Sequence, residues 1–145
     1  MTHLFTYGTL MFAPVWEVVV AGRYRSLPAV LGGYRRLAVR GEDYPVAVPA
    51  RDACIRGVLY LNLSPEDLAR LDRFEGEAYR RRAVQVIAGG RRLPAEVYEL
   101  RPEFRHLAAP TPWDPERFVA EGLRRFLARH GEVVRPAPRL GSSRG

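Results

Sequence analysis

Two stretches of this sequence carry residue types and spacings that could do chemistry. The first runs from Ser64 to Tyr79 and reads as a helix. Ser64 suits the N-cap, Pro65 the first helical position, and Asp67 three residues on approaches a capping-box pattern. Gly76 is placed to end the helix. At about 100° per residue, Leu68, Leu71 and Phe74 share one apolar arc, and Glu75 falls on it between Leu68 and Leu71 in projection. Asp72 lies at the margin, with Glu66, Arg70 and Arg73 opposite. The pattern predicts an inward carboxylate in the last helical turn. Desolvation and the negative end of the helix dipole should both raise its pKa, which suits a proton shuttle near neutral pH. The plainer alternative is a solvated glutamate reaching past Gly76 into water.

The second stretch is Tyr7-Gly8-Thr9-Leu10, directly after a short apolar run. A glycine there lets the backbone turn sharply and approach a ligand, and the N–H groups that follow could hold a carboxylate or an oxyanion. A plain strand-to-helix turn is the alternative.

Other chemistries find little support. One Cys and three dispersed His cannot supply a zinc site, so no metal is expected, and neither a P-loop nor a dinucleotide-binding glycine fingerprint is present. Cys54, in a strand-like run, reads as a small buried hydrophobe. The formal charge of +7 comes entirely from Arg, since Lys is absent. That bias points to G and C codons as much as to a basic face, and the Arg are scattered, so nucleic acid is not an expected partner. No apolar run approaches the roughly 18 residues of a membrane span and no charged-then-apolar leader opens the chain, so a cytoplasmic protein without a membrane role is expected.

The elements that must position these residues follow from pattern. Leu4–Tyr7 reads as a strand, and Pro14–Ala21 as a helix with Val15, Trp16, Val19 and Val20 inward, closed by Gly22. Arg23–Leu27, Ala29–Val39 and Tyr44–Val48 read as extended, interrupted at Pro28 and Gly32-Gly33, with a turn at Arg40–Asp43. Arg51-Asp52 reads as another turn, and Cys54–Leu63 as a strand whose Gly57 marks a bulge. Arg80–Ile87 and Arg92–Leu100 form a hairpin about Gly89-Gly90. Pro102–Pro112 reads as a linker. Asp114 then caps a helix with Pro115 first, with Phe118, Val119, Leu123, Phe126 and Leu127 packing and Arg117, Glu121, Arg124, Arg125 and Arg129 wet, ended by Gly131. The expected fold is α+β: a small mixed, mostly antiparallel sheet closed into a β-barrel and flanked by helices, with one domain over 1–134 and a flexible tail over 135–145.

Three motifs in order give the chain a resemblance: Phe5-Thr6-Tyr7-Gly8-Thr9-Leu10; Gly41-Glu42-Asp43-Tyr44-Pro45 followed by Arg56-Gly57-Val58-Leu59-Tyr60; and Leu71-Asp72-Arg73-Phe74-Glu75-Gly76 followed by Tyr79. The sequence resembles the gamma-glutamylcyclotransferase superfamily, in its avirulence-induced-gene-like branch, which also contains gamma-glutamylamine cyclotransferase. The resemblance implies a small β-barrel with a cavity at one end. It implies substrate binding at Tyr7, Gly8, Thr9 and Leu10, general acid/base catalysis by Glu75, and a pocket wall or donor at Tyr79, with Tyr44 and Tyr98 as further lining. The implied reaction cyclises a gamma-glutamyl amine or peptide to 5-oxoproline and a free amine, without cofactor or metal. Arg40 is a candidate carboxylate partner and otherwise a surface charge. A non-catalytic small-ligand-binding or interaction protein on the same fold is the alternative. A small molecule is the expected partner of a monomer or homodimer.

Overall fold

The expected strands and helices form, and three of them run longer than their sequence pattern indicates. A computed structural model describes residues 1–134; the expected tail lies outside the described residues. In chain order come β1 (Thr2–Thr6), a 3₁₀ turn (Thr9–Met11), α1 (Ala13–Val19), β2 (Ser26–Val39), β3 (Pro45–Leu63) and α2 (Pro65–Glu75). There follow β4 (Tyr79–Ala88), β5 (Arg91–Leu100), a 3₁₀ segment (Pro102–Leu107), β6 (Ala108–Pro112), α3 (Pro115–Arg117), a π-turn (Phe118–Gly122) and α4 (Leu123–Val134).

The sheet runs β3-β1-β5-β4-β2-β6, and β3 pairs with β2 as well, so the pairing comes full circle through five strands with β6 added outside. Among the described residues, only β1 against β5 is parallel. The ring is thinnest between β2 and β4, which meet at the single pair Val30–Ile87. Alternate residues of the strands point inward, as a pleat requires. Phe5, Leu31, Leu59, Val86 and Val97 fill the interior with no more than 1% exposure each. Burial at that level is worth about 2 kcal/mol per side chain. A second core lies where α1, α2 and α4 pack on the sheet, around Leu4, Val15, Leu71 and Phe126, with the Trp16 ring stacked on Tyr60 at 3.6 Å.

Several expectations are corrected. Pro28 does not interrupt β2, and the Gly32-Gly33 break is a register shift with Gly33 at φ +83°, not a gap. The turn expected at Arg51-Asp52 sits inside β3: the same register shift leaves extra residues on β3 there, and Asp52 adopts φ +65°. Gly57 makes no bulge, since it pairs with Ala29 in unbroken register. Its lack of a side chain answers a close approach instead, because a Cβ there would lie 2.1 Å from the Thr6 carbonyl oxygen. Cys54 is exposed: Ile55 takes the inward position, and the period-2 alternation turns its neighbour outward. Pro102–Pro112 is no linker; it supplies the 3₁₀ segment and β6, which pairs with β2. Val119 is 49% exposed because the π-turn changes the helical phase after Phe118. The helix continues through Gly131 to Val134. No helix of the described residues is long and apolar enough to cross a membrane.

Candidate active site

The two chemically suggestive stretches meet at one cavity of about 310 Å³. β1 delivers Tyr7-Gly8-Thr9-Leu10 to it, and the last turn of α2 delivers Phe74 and Glu75. Tyr44, Tyr79 and Tyr98 line it as well, so the structure brings together every residue singled out from the sequence as a site candidate except Arg40. Arg40 is exposed and lies outside the lining. Among the described residues, no group of His, Cys, Asp and Glu could hold a metal ion.

The turn is held from behind. Gly8 has φ −128° and is kept small by packing: a Cβ there would lie 2.8 Å from the Pro45 ring. Met11 N–H bonds to the Gly8 carbonyl at 3.0 Å and starts the 3₁₀ turn, whose first N–H groups at Thr9 and Leu10 have no side-chain cap. The Arg36 guanidinium donates to the Tyr7 carbonyl at 3.0 Å, and Tyr60 donates to the Leu10 carbonyl at 3.1 Å. The turn's carbonyls are thus fixed from outside the cavity.

Three tyrosines of the lining spend their hydroxyls on the scaffold. Tyr7 donates to the Tyr98 carbonyl at 2.6 Å, Tyr79 to the Pro45 carbonyl at 2.9 Å, and Tyr98 to Asp72 at 2.7 Å. Burial pushes all three phenols upward, so they stay protonated at neutral pH. Tyr44 is raised as well, by burial and then by Glu42 and Glu75. These side chains serve as walls and braces, not as bases.

Glu75 is different. No hydrogen bond or ion pair engages its carboxyl group among the described residues. It is half-buried, and it faces the cavity. Desolvation, and then the nearby Asp72 charge, push it up to about 8. The desolvation anticipated from the helical projection is present, and Asp72 adds to it. Asp72 is itself gripped by Arg81, whose Nε lies 2.8 Å away, and Arg81 also pairs with Glu96. The last turn of α2 is therefore fastened to β4 and β5 while the Glu75 carboxyl is left without a partner.

Several lining residues escaped the sequence reading: Pro45, Glu77, Phe104, Leu107 and Phe126 among them. Phe104 and Leu107 sit in the proline-rich segment read as a linker, where two large apolar residues within four positions were the available signal. Phe126 was assigned to packing, and it does pack, with its ring 6.1 Å from that of Phe74 and 6.5 Å from that of Tyr44.

Comparison with known proteins gives the family and the fold. The family described as "Gamma-glutamyl cyclotransferase, AIG2-like" matches residues 4–116. A relative in Arabidopsis thaliana, AIG2-like protein D, is 30% identical over 87 residues, covering 60% of this chain and 57% of that protein. The matched part is thus little more than half of that relative's own length. Among solved structures, one from Arabidopsis thaliana superposes with a TM-score of 0.68 at 22% identity, covering 99% of this chain and 95% of the other. An AIG2-like protein from Mus musculus superposes with a TM-score of 0.60 at 24% identity, covering 98% and 99%. The chain belongs to the AIG2-like gamma-glutamyl cyclotransferase family.

Proposed function

We propose that this family member is a cyclotransferase that releases 5-oxoproline from a gamma-glutamyl amine or peptide, with Glu75 as its general acid and base. The observation that carries the reading is the Glu75 carboxyl, which has no hydrogen bond or ion pair among the described residues and is pushed up to about 8, in the same cavity as the Tyr7–Leu10 turn. A gamma-glutamyl compound brings its own nucleophile, the α-amine. The ionised Glu75 takes a proton from the α-ammonium group, and the freed nitrogen attacks the side-chain carbonyl carbon. A five-membered ring closes, and backbone N–H groups of the Gly8–Leu10 turn hold the oxyanion. The bond from the carbonyl carbon to the leaving nitrogen then breaks as Glu75 returns its proton to that nitrogen, and the ring nitrogen gives up its second proton to the departing amine, which leaves as an ammonium ion. Nucleophile and proton shuttle are both supplied, so the scheme calls for no cofactor. The setting we propose is cytoplasmic, with a small molecule as partner.

The test is 5-oxoproline release from a panel of gamma-glutamyl amides and dipeptides by wild type and Glu75→Gln. A general acid/base is worth about 10²–10⁴-fold, so kcat should fall by about 10³-fold with the circular dichroism spectrum unchanged. Full activity in Glu75→Gln would overturn the assigned role. Failure of wild type to release 5-oxoproline from any member would overturn the reading.

A further inference from the structure

Every carbonyl of the Tyr7–Leu10 turn has a donor. Arg36 donates to Tyr7 at 3.0 Å, Met11 N–H to Gly8 at 3.0 Å, Phe12 N–H to Thr9 at 3.2 Å and Tyr60 to Leu10 at 3.1 Å. Three of these donors are neutral. The one on Tyr7 is a cation, and charge-assisted hydrogen bonds are the stronger class.

Arg36 is built into its place. On β2 its neighbour Arg35 is exposed while Arg36 is half-buried, because the pleat sets them on opposite faces. The guanidinium carbon stands 5.4 Å from the centre of the Trp113 ring, within cation–π range. Trp113 is buried and pinned in turn: its Nε1 donates to the Asp43 carbonyl at 2.8 Å, and its ring lies 5.5 Å from that of Phe118. A longer bond, at 3.4 Å, runs from the same Arg36 nitrogen to the Arg56 carbonyl. Two carbonyls and one ring thus fix the side chain. Burial draws its pKa down from 12.5, and an arginine stays charged nonetheless.

The consequence falls on the far side of the peptide. Tyr7 and Gly8 line the cavity and Arg36 does not. In a trans peptide the carbonyl and the following N–H point in opposite directions. A Tyr7 carbonyl held by Arg36 outside the cavity therefore aims the Gly8 N–H the other way. A cation on that carbonyl also draws electron density along the peptide and leaves the N–H more positive, since hydrogen bonds in series polarise one another. Away from bulk water, such a charge is weakly screened.

Resting on the cyclotransferase reading, we propose that Arg36 is a positioning residue: it fixes and polarises the Tyr7–Gly8 peptide from behind, so that the Gly8 N–H meets the oxyanion of the ring-closing step. It acts through the turn and touches neither the substrate nor the reacting atoms.

The experiment compares Arg36→Met with Arg36→Lys. Both keep a long stem against Trp113, and of the two only Lys keeps a cation that can donate. A role confined to packing is met by either. Arg36 uses a single nitrogen on the Tyr7 carbonyl, so the two-pronged geometry of arginine is not at stake there. Removing a whole oxyanion donor costs about 10²–10³-fold in kcat. Here the donor stays and loses its support, so Arg36→Met should lower kcat on a gamma-glutamyl amide by about tenfold per folded molecule, with folding checked by thermal melt. KM should stay within about twofold, because the oxyanion develops only as the amine attacks. Arg36→Lys should stay within about threefold of wild type. Equal kcat in the two variants would overturn the proposal, and so would a loss carried by KM alone.

A second readout needs no turnover. The amide nitrogen of a peptide responds to what the carbonyl of the same peptide accepts. The Gly8 nitrogen resonance should therefore move upfield in Arg36→Met and lie between that position and the wild-type one in Arg36→Lys. A Gly8 resonance unmoved in Arg36→Met would also overturn the proposal. Failure of wild type to release 5-oxoproline would instead overturn the cyclotransferase reading, and the Gly8 resonance would still decide whether Arg36 sets the turn.

Discussion

Helix α2 carries a carboxylate near each end, and the two have opposite fates. Asp67, in the first turn, is 1% exposed and saturated with donors: Ala21 N–H at 2.8 Å, Gly22 N–H at 2.9 Å, the Tyr24 hydroxyl at 2.6 Å and the Arg70 guanidinium at 2.6 Å. Burial alone would push it up, but these hydrogen bonds outweigh burial and hold it at about 2. Glu75, in the last turn, has no such donors, and burial with the Asp72 charge takes it to about 8. Both are carboxylates on one helix of eleven residues. What separates them is the supply of donors, so the surrounding chain decides which acid is an anchor and which is free to exchange a proton.

The comparison is tested most severely at the anchor. Asp67→Ala would leave the Ala21 and Gly22 N–H groups and the Tyr24 hydroxyl without their shared acceptor. Stability should drop by about 3 kcal/mol in urea denaturation at pH 7. 5-Oxoproline release per folded molecule should stay within about twofold of wild type, since Asp67 does not line the cavity. A loss below about 0.5 kcal/mol would mean that the network contributes little to holding α2 against the end of α1.

The free end makes the reverse prediction. The Glu75 carboxyl is raised in the folded state, so ionising it opposes folding. The opposition is absent below the unfolded pKa of about 4.5, grows as pH rises toward 8, and is constant above that. Glu75→Gln never ionises there, so it should be more stable than wild type at pH 8–9 and indistinguishable near pH 4. The full displacement converts to about 5 kcal/mol, and because Glu75 is only half-buried we expect about 2 kcal/mol. Thermal melts across this range decide it. A variant that gains activity loss without gaining alkaline stability would show that the native carboxyl is not under this strain.

The two ends also differ in how far they could be read from sequence. Glu75 was found because the cue is local: its helical phase beside Leu68, Leu71 and Phe74, and its place just before Gly76. The Ser64 cap was found for the same reason, and it does accept from the Asp67 N–H at 3.1 Å. The anchoring of Asp67 escapes the sequence because three of its four partners, Ala21, Gly22 and Tyr24, lie more than 40 residues away and two of those are backbone N–H groups, which no side-chain pattern reveals. The cavity wall divides likewise. Tyr7, Gly8, Thr9, Leu10 and Tyr44 belong to motifs, whereas Phe104 and Leu107 reach the cavity only because β6 pairs with β2, and prolines at 102, 110 and 112 disguised that pairing as a linker. An edge strand tolerates such prolines, since one of its sides needs no donors.

The smallest effect concerns the residue between the two ends. Asp72 contributes to the high pKa of Glu75, second to burial, although Arg81 partly offsets its charge. Asp72→Asn removes that charge, and the amide oxygen can still accept from Tyr98, so the brace on α2 is kept. Arg81 retains Glu96 as a partner and stays in place. The base form of Glu75 is the one that starts the proposed reaction, so kcat/KM should rise with pH along a limb centred near 8 in wild type. In Asp72→Asn that limb should move to lower pH by about half a unit, the size expected of one charge a helical turn away through a mostly aqueous path. The maximal kcat/KM should hardly change, because the proton shuttle itself is untouched. A limb that stays in place would assign the raised pKa to burial alone. A fall in the maximum would instead make Asp72 part of the positioning of α2. The contrast with Asp67 would then be one of degree, with both acids anchoring the helix and Glu75 alone left to act.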